Sequence, residues 1–245
     1  MAHTFGFIWR AALASTCLLS TLSGQTATPP TDSARSLVEQ FDRTTIFWKQ
    51  FDIAKQIVAL HDKSVLQYLE PWLSNDDMHL RGNAAFIFAS LGDDRGFVTI
   101  KSILEDHSSK RAVFEIDSTG RPSLSRQIVT DRYYAAHLFG DLRYSRAVPI
   151  LISLLKDQEV NSTVPWSLGE IGDQSAIPAL IETLGDDSPD MRVLAIYALE
   201  TLKAKQALPR LRALLDDDEK IHFDGLGTVA EAAKTAIATL ERAPR

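Results

Sequence analysis

One frame of about thirty residues recurs along the chain, and it leaves few folds open. Aligned on their Ala-(Val/Ile/Leu)-Pro triplets, Tyr134–Pro149 reads YAAHLFGDLRYSRAVP, Thr163–Pro178 reads TVPWSLGEIGDQSAIP and Leu194–Pro209 reads LAIYALETLKAKQALP. Each proline is followed by an apolar run that ends in acid: Lys156-Asp157, Asp186-Asp187 and Asp216-Asp217-Asp218. The frame extends upstream through Asn83-Ala84-Ala85 and Leu91-Gly92-Asp93, with Val98 in the proline's place, and more faintly from Trp48 to Leu73. Five units result, at about 44–76, 77–106, 131–157, 160–187 and 190–218, and Thr228–Leu240 reads as a terminal cap.

Within a unit the apolar period is helical. Ala195, Leu199 and Leu202 recur at i, i+4 and i+7, and Leu208, Leu211 and Leu215 at i, i+3 and i+7, so each trio shares one helix face. The proline falls early in the second helix, where its missing N–H leaves no bond unmade. A lone helix pair cannot bury its apolar stripe, whereas stacked neighbours bury it continuously.

The motif A-A-x-x-L-G-x-(I/L)-G-D-x-x-A-x-P-x-L-x-x-L-L-x-D resembles the HEAT repeat, in particular the short class named for phycobilisome lyases. Ala84, Ala85, Leu91, Gly92 and Asp93 carry the resemblance in one unit. Leu168, Gly169, Ile171, Gly172, Asp173, Ala176 and Pro178 carry it in another. It covers about 50–240 and implies an all-α fold, a right-handed α-solenoid of about five HEAT-like helix pairs. The frame places Arg81, Arg132, Asn161 and Arg192 at one position, and Asp93, Tyr144, Asp173 and Ala204 at another. In arrays of this type such positions look like rungs of a structural ladder linking neighbouring units, here Arg81, Asp93, Arg132, Asp173 and Arg192. Pro165 removes a backbone hydrogen bond and predicts a kinked or shortened first helix around Val164-Pro165-Trp166.

Two segments depart from the array. From Val98 to Pro149 the chain runs 51 residues where the frame asks for about 29, so an insertion is expected near 107–128. Its Ala112–Ile116 alternation and Asp117–Pro122 turn chemistry predict a β-hairpin or ordered loop. At the N-terminus, Arg10 precedes an uncharged run from Ala11 to Leu22 and a small-residue exit through Ala27. Residues 1–27 therefore read as a signal peptide, too short in its apolar run to span a bilayer. On that reading 28–43 is an N-terminal linker, 44–245 is the solenoid, and the mature protein is periplasmic or secreted with no integral membrane span.

The charge balance narrows the partners. The chain carries 26 Lys+Arg against 32 Asp+Glu, a net charge of −6, which opposes binding by phosphate neutralisation, so no nucleic acid is expected. Cys17 is the single cysteine and lies in the leader, leaving no thiol nucleophile or thiolate metal site in the mature chain. No H-x-x-x-H and no His-Glu dipeptide occurs. Di-iron hydroxylases with HEAT-type repeats carry repeated His-Glu pairs, so that relative is set aside.

Other local matches fail on context. Ser153-Leu154-Leu155-Lys156 has serine–lysine spacing, but Lys234-Thr235-Ala236 lacks the glycine and strand that such chemistry needs. Asp117-Ser118-Thr119-Gly120 has no second copy to form a carboxyl dyad. Gly225-Leu226-Gly227 is too short to cradle phosphate, and Asp216–Glu219 lacks the spaced oxygens of a calcium loop. No cofactor, metal or catalytic residue is expected.

The first functional expectation is an exported, non-enzymatic interaction scaffold or adapter that binds a protein or peptide along a groove faced by the second helices. Thr99, Ser102, Ser153, Glu182 and Arg210 interrupt the apolar stripe there, and Phe114 and Glu115 in the insertion offer a second contact area beside Tyr133 and Tyr134. The alternative is a lyase- or chaperone-like factor acting on a bound pigment or protein, as the resemblance implies. That alternative requires converging ionisable groups, for which Asp131, Arg132 and His137 are the candidates.

Overall fold

The computed structural model describes residues 30–108, 131–222 and 227–242, and these hold twelve α-helices. Five pairs follow the frame. The first helix of each is α2 (Phe47–Ala59), α4 (Met78–Ser90), α6 (Asp131–Asp141), α8 (Val164–Ile171) or α10 (Pro189–Thr201). The second is α3 (Leu66–Leu69), α5 (Asp94–Leu104), α7 (Val148–Ser153), α9 (Ile177–Thr183) or α11 (Leu208–Arg212). Before them stands α1 (Asp32–Arg43) and after them α12 (Val229–Arg242).

The turn inside each pair is the frame's most regular feature. Positive φ occurs at His61, Gly92, Arg143, Gly172 and Lys203, one residue per unit. A left-handed residue there ends the first helix and turns the chain back; after Gly92, Arg143 and Lys203 the N–H of the next residue bonds five residues upstream, as Asp93 does to Phe88 at 2.9 Å. One 3-10 turn then leads into four of the second helices, at Lys63–Val65, Ser145–Ala147, Gln174–Ala176 and Lys205–Ala207. Pro149, Pro178 and Pro209 sit in the first turn of α7, α9 and α11.

Pro165 likewise opens α8, which begins at Val164 and is shortened to eight residues rather than kinked. Residues 28–43 are not a linker throughout. Thr31 Oγ1 accepts a hydrogen bond from Ala34 N at 3.2 Å, and Ala34, Val38 and Phe41 on α1 are buried beside α2. The i, i+4, i+7 spacing of those three gives the helix an apolar stripe, and packing it against the first pair is worth more than leaving it solvated. The signal peptide and the insertion beyond Ser108, with Phe114 and Glu115, lie outside the described residues.

The close approach of the first helices follows from side-chain size. First helices carry small residues where they meet. An added Cβ at Gly82 would lie 3.0 Å from Leu138 Cδ1, and one at Gly140 would lie 2.9 Å from Ser167 Cα. Successive first helices accordingly pack directly on one another, and each second helix is held mainly through the first helices beside it. Rings of α2 even meet those of α6 beside α4, with Phe47 and Tyr134 centroids 5.4 Å apart. The first helices therefore form one closely packed layer, with the second helices laid against it.

Among the described residues no helix is long and apolar enough to cross a membrane.

Candidate functional site

Six residues before each left-handed turn, one position recurs on the first helices. It holds Lys55, Phe86, His137, Trp166 and Tyr197. Aromatic groups thus occupy this position in four consecutive units, with Phe86 buried in the core and Trp166 and Tyr197 exposed. The imidazole of His137 stacks on the indole of Trp166 at 4.0 Å between centroids and 8° between planes. Trp166 and Tyr197 remain 36% and 41% exposed, large values for rings in an otherwise packed array.

One turn further along the same helices lie Ser90, Asp141, Glu170 and Thr201. Asp141 and Glu170 edge the aromatic row with carboxylates. Asp141 Oδ2 approaches His137 Nε2 at 3.6 Å, and Thr163 Oγ1 lies 3.5 Å from His137 Nδ1. Burial pushes the His137 imidazole down to about 4, so it is neutral at pH 7. Burial lifts the Asp141 carboxyl to about 6, against the pull of Lys55 and with a further push from Glu170. A carboxyl near 6 beside a neutral imidazole can hold or release a proton close to neutral pH. Lys55 is itself paired with Asp52 at 2.7 Å, and Arg143 with Glu170 at 3.2 Å.

The described residues expected to bind a partner lie on the second helices. Thr99 and Ser102 lie on α5, with Ser102 Oγ donating to Thr99 O at 2.8 Å; Ser153 Oγ likewise donates to Ile150 O at 2.7 Å. Both hydroxyls are satisfied within their own helix. Ser153 and Glu182 do line one half-open groove of about 960 Å³ between α7 and α9, where Lys156 Nζ reaches Glu182 Oε1 at 3.5 Å. The exposed Arg210 guanidinium borders it at Gly185, 3.4 Å from where a Cβ would stand. Two of the five second-helix candidates, Ser153 and Glu182, therefore share a groove, while Thr99 and Ser102 stand apart.

Asp131, Arg132 and His137 do not converge. Asp131 Oδ1 pairs with buried His79 Nδ1 at 2.8 Å. Arg132 turns to the ladder, donating from Nε to Leu104 O at 2.8 Å and pairing with Asp157 at 2.7 Å and with Glu159. Arg192 makes the equivalent rung to Asp186 O at 2.8 Å and to Asp217 at 3.0 Å, and Arg81 donates to Asn75 O at 2.6 Å. The arginine half of the expected ladder stands, but its partners come from the acid runs. Asp93 and Asp173 are instead helix caps, accepting from Arg95 N at 3.0 Å and Ser175 N at 2.9 Å. The Arg95 guanidinium beside Asp93 holds its carboxyl below the usual range.

Among the described residues no cluster of three His, Cys, Asp or Glu side chains is arranged to hold a metal ion.

Comparison with known proteins finds HEAT repeats in part of the chain. HEAT repeats match at residues 129–190 and 156–222. The chain is 40% identical over 97 residues to a phycocyanobilin lyase subunit alpha of Picosynechococcus sp., an alignment covering 34% of this chain and 35% of the relative. It is 31% identical over 146 residues to the bilin biosynthesis protein PecE of Nostoc sp., covering 58% and 53%. The chain thus spans about a third to a half of the length of the curated relatives it matches. Among solved structures, the complex of CpcE and CpcF of phycocyanin lyase from Nostoc sp. superposes with a TM-score of 0.50 at 23% identity, over 73% of this chain and 66% of that one. That likeness speaks to the fold: an all-α solenoid of HEAT-like units.

Proposed function

From the premise that this chain is a HEAT-repeat α-solenoid, we propose that it is a lyase- or chaperone-like factor acting on a bound pigment or protein, held along the face carried by the first helices. The observation that carries the reading is the aromatic row Phe86, His137, Trp166 and Tyr197 in a chain similar to bilin lyase subunits. The exposed rings of Trp166, with His137 stacked on it, and of Tyr197 in the next unit offer a planar conjugated ligand aromatic contacts. The acidic row beside it offers acceptors for N–H groups. The group able to exchange a proton with such a ligand is Asp141, beside neutral His137. This favours the alternative over the non-enzymatic adapter.

The test is a titration of the purified chain with phycocyanobilin, followed by pigment absorbance and tryptophan quenching. Saturable binding that Trp166→Leu and Tyr197→Ala weaken several-fold supports the reading. Pigment that binds the two variants as well as the parent, or not at all, overturns its pigment half. Incubation of loaded protein with phycocyanin apoprotein then asks for transfer.

A second reading, an exported adapter, is favoured by the Arg10 and Ala11–Leu22 leader. N-terminal sequencing of the protein from fractionated cells checks it. A mature chain beginning near Thr28 in the periplasmic or secreted fraction supports export, and an intact leader in the cytoplasm removes it.

A further inference from the structure

We propose that the groove lined by Asn161 and Asp186 takes an arginine side chain from a protein partner, whose guanidinium rests on the Asp186 carboxylate and supplies the ladder rung that this chain leaves out. The groove uses none of the aromatic positions assigned above to a pigment, and its occupancy does not depend on pigment binding.

Two complete rungs define the missing one. Arg132 Nη2 donates to Asp157 Oδ2 at 2.7 Å, and Arg192 Nε approaches Asp217 Oδ2 at 3.0 Å, each acid lying 25 residues beyond its arginine. In both rungs the other carboxylate oxygen accepts from a backbone N–H two residues on, Glu159 N at 3.1 Å and Glu219 N at 3.3 Å. In the unit between them the same spacing pairs Asn161 with Asp186. Asp186 makes the same local turn, Oδ1 accepting from Ser188 N at 2.9 Å, and is half-buried like Asp157 and Asp217. Among the described residues, however, no cationic side chain pairs with its carboxylate, and the Asn161 amide makes no side-chain hydrogen bond.

The space is present as well as the charge. Arg132 and Arg192 are buried within their helices, whereas α8 begins only at Val164, after Asn161. The half-open groove of about 960 Å³ lies there, where Asn161, Asp186 and Asp187 meet the apolar Leu155, Met191 and Leu194. Arg192 donates to Asp186 O at 2.8 Å and to Asp187 O at 3.2 Å, which fixes the backbone that carries both carboxylates, while its charge is committed to Asp217 and Glu219. Lys156 is paired with Glu182 at 3.5 Å, and Arg210, beside Gly185, forms no ion pair with either aspartate. Ser188 stands where Glu159 and Glu219 add a second acid to the other rungs, and Asp187 supplies that charge instead.

A carboxylate held by a turn with one oxygen open suits a guanidinium. Its planar fork bonds the carboxylate edge, and it is less strongly hydrated than an ammonium on entering a partly apolar groove. The groove is larger than one side chain needs, so the residues flanking the arginine enter with it, and its apolar lining favours aliphatic ones.

The experiment titrates the full chain by calorimetry with the acetylated and amidated tripeptide Leu-Arg-Leu and with its lysine and citrulline counterparts. Citrulline keeps the planar shape and removes the charge. Saturable binding of the arginine peptide is expected, with lysine about fivefold or more weaker and citrulline silent. Asp186→Asn should weaken the arginine peptide by about fivefold or more. Asn161→Arg supplies the cation from within the chain, so it should remove peptide binding and raise the melting temperature by roughly 2–4 °C. Asp218→Asn, which deletes an exposed charge outside the groove, should leave binding intact. Circular dichroism identifies any variant that fails to fold, and the peptide series on the unmodified chain decides independently of the variants. No saturable binding, arginine no tighter than lysine or citrulline, or binding indifferent to both Asp186→Asn and Asn161→Arg overturns the proposal. Free arginine binding as tightly as the peptide overturns the protein partner.

Discussion

His137 and Asp141 stand one helical turn apart on α6, 3.6 Å between Nε2 and Oδ2, and burial displaces their proton affinities in opposite directions. In most His–Asp pairs proximity makes both partners ionic. Here the loss of water outweighs the attraction, so the imidazole is driven toward 4 and the carboxyl toward 6. The groups that face the pair from packed elements are Glu170 on α8 and Lys55 on α2.

The first prediction concerns stability against pH. Asp141 binds its proton more tightly folded than unfolded between about pH 4 and 6, so its contribution to stability rises as the solution is acidified through that window. His137 behaves oppositely, because the unfolded chain takes up a proton below 6.5 that the folded chain refuses until about 4. The two slopes nearly cancel in the parent protein. Asp141→Asn unmasks the histidine, and stability should fall by about 1–3 kcal/mol from pH 6.5 to 4 after allowing for partial exposure. His137→Asn unmasks the carboxyl, and stability should rise by a similar amount over the same range. Denaturant melts at pH 4.5, 5.5 and 6.5 read both slopes, and parallel profiles for the two variants would contradict the assignment.

A second prediction uses the five left-handed turns. Gly172 has φ of 78° with no atom within 4 Å of a would-be Cβ, whereas Lys203 adopts φ of 54° with a side chain attached. The left-handed conformation disfavours L-residues by roughly 1 kcal/mol. Lys203→Gly should therefore stabilise the chain by about 0.5–1 kcal/mol, and Gly172→Ala should destabilise it by about 1 kcal/mol through backbone strain alone. Thermal melts of the two single variants suffice, since opposite signs are required.

The third prediction tests the rungs. Arg132 is 3% exposed and joins the α5 C-terminus at Leu104 O to Asp157 and Glu159, which follow α7. Arg132→Met keeps the aliphatic volume and removes the donors, leaving a buried carbonyl without its partner. A loss of about 3 kcal/mol is expected. Asp157→Asn, whose side chain is 24% exposed and which keeps an acceptor, should lose only about 1 kcal/mol. Equal losses would mean that the ion pair rather than the Leu104 cap carries the rung.

These results mark where the sequence could be read and where it could not. Helix pairs, their proline starts and the shortened α8 follow from local period and backbone chemistry, which a sequence displays directly. The α1 stripe of Ala34, Val38 and Phe41 is equally visible in the sequence, but it lies before the first recognisable copy of the frame, which left 28–43 to a linker. His137, Trp166 and Tyr197 fall in one column of the aligned frame, as do Asp141, Glu170 and Thr201. What the column cannot show is how closely the first helices approach, through contacts such as Gly140 against Ser167 and Gly169 against Ala198. The arginine rungs were legible for the same positional reason. Their partners were not, because Asp157 and Asp217 lie 25 residues beyond Arg132 and Arg192 in runs that resemble ordinary solvated turns.

The last prediction concerns the packing of α6 against α8. A Cβ at Gly140 would stand 2.7 Å from Trp166 Cζ3, 2.9 Å from Ser167 Cα and 3.1 Å from Ser167 Cβ. The ring could swing away, but the α8 backbone at Ser167 cannot, because Ser167 Oγ is tied to Ala136 O at 3.0 Å and Thr163 O at 3.1 Å. Gly140→Ala should therefore push α8 from α6 and destabilise the chain by about 2–3 kcal/mol. Trp166→Leu relieves only the ring contact, so the double variant should recover a minor part of that loss, with a coupling of about 1 kcal/mol or less. Denaturant melts of the two single variants and the double complete the cycle. Full recovery in the double variant would show that Trp166 alone occupies the space, and that the close approach of the two helices is not what draws the aromatic row together.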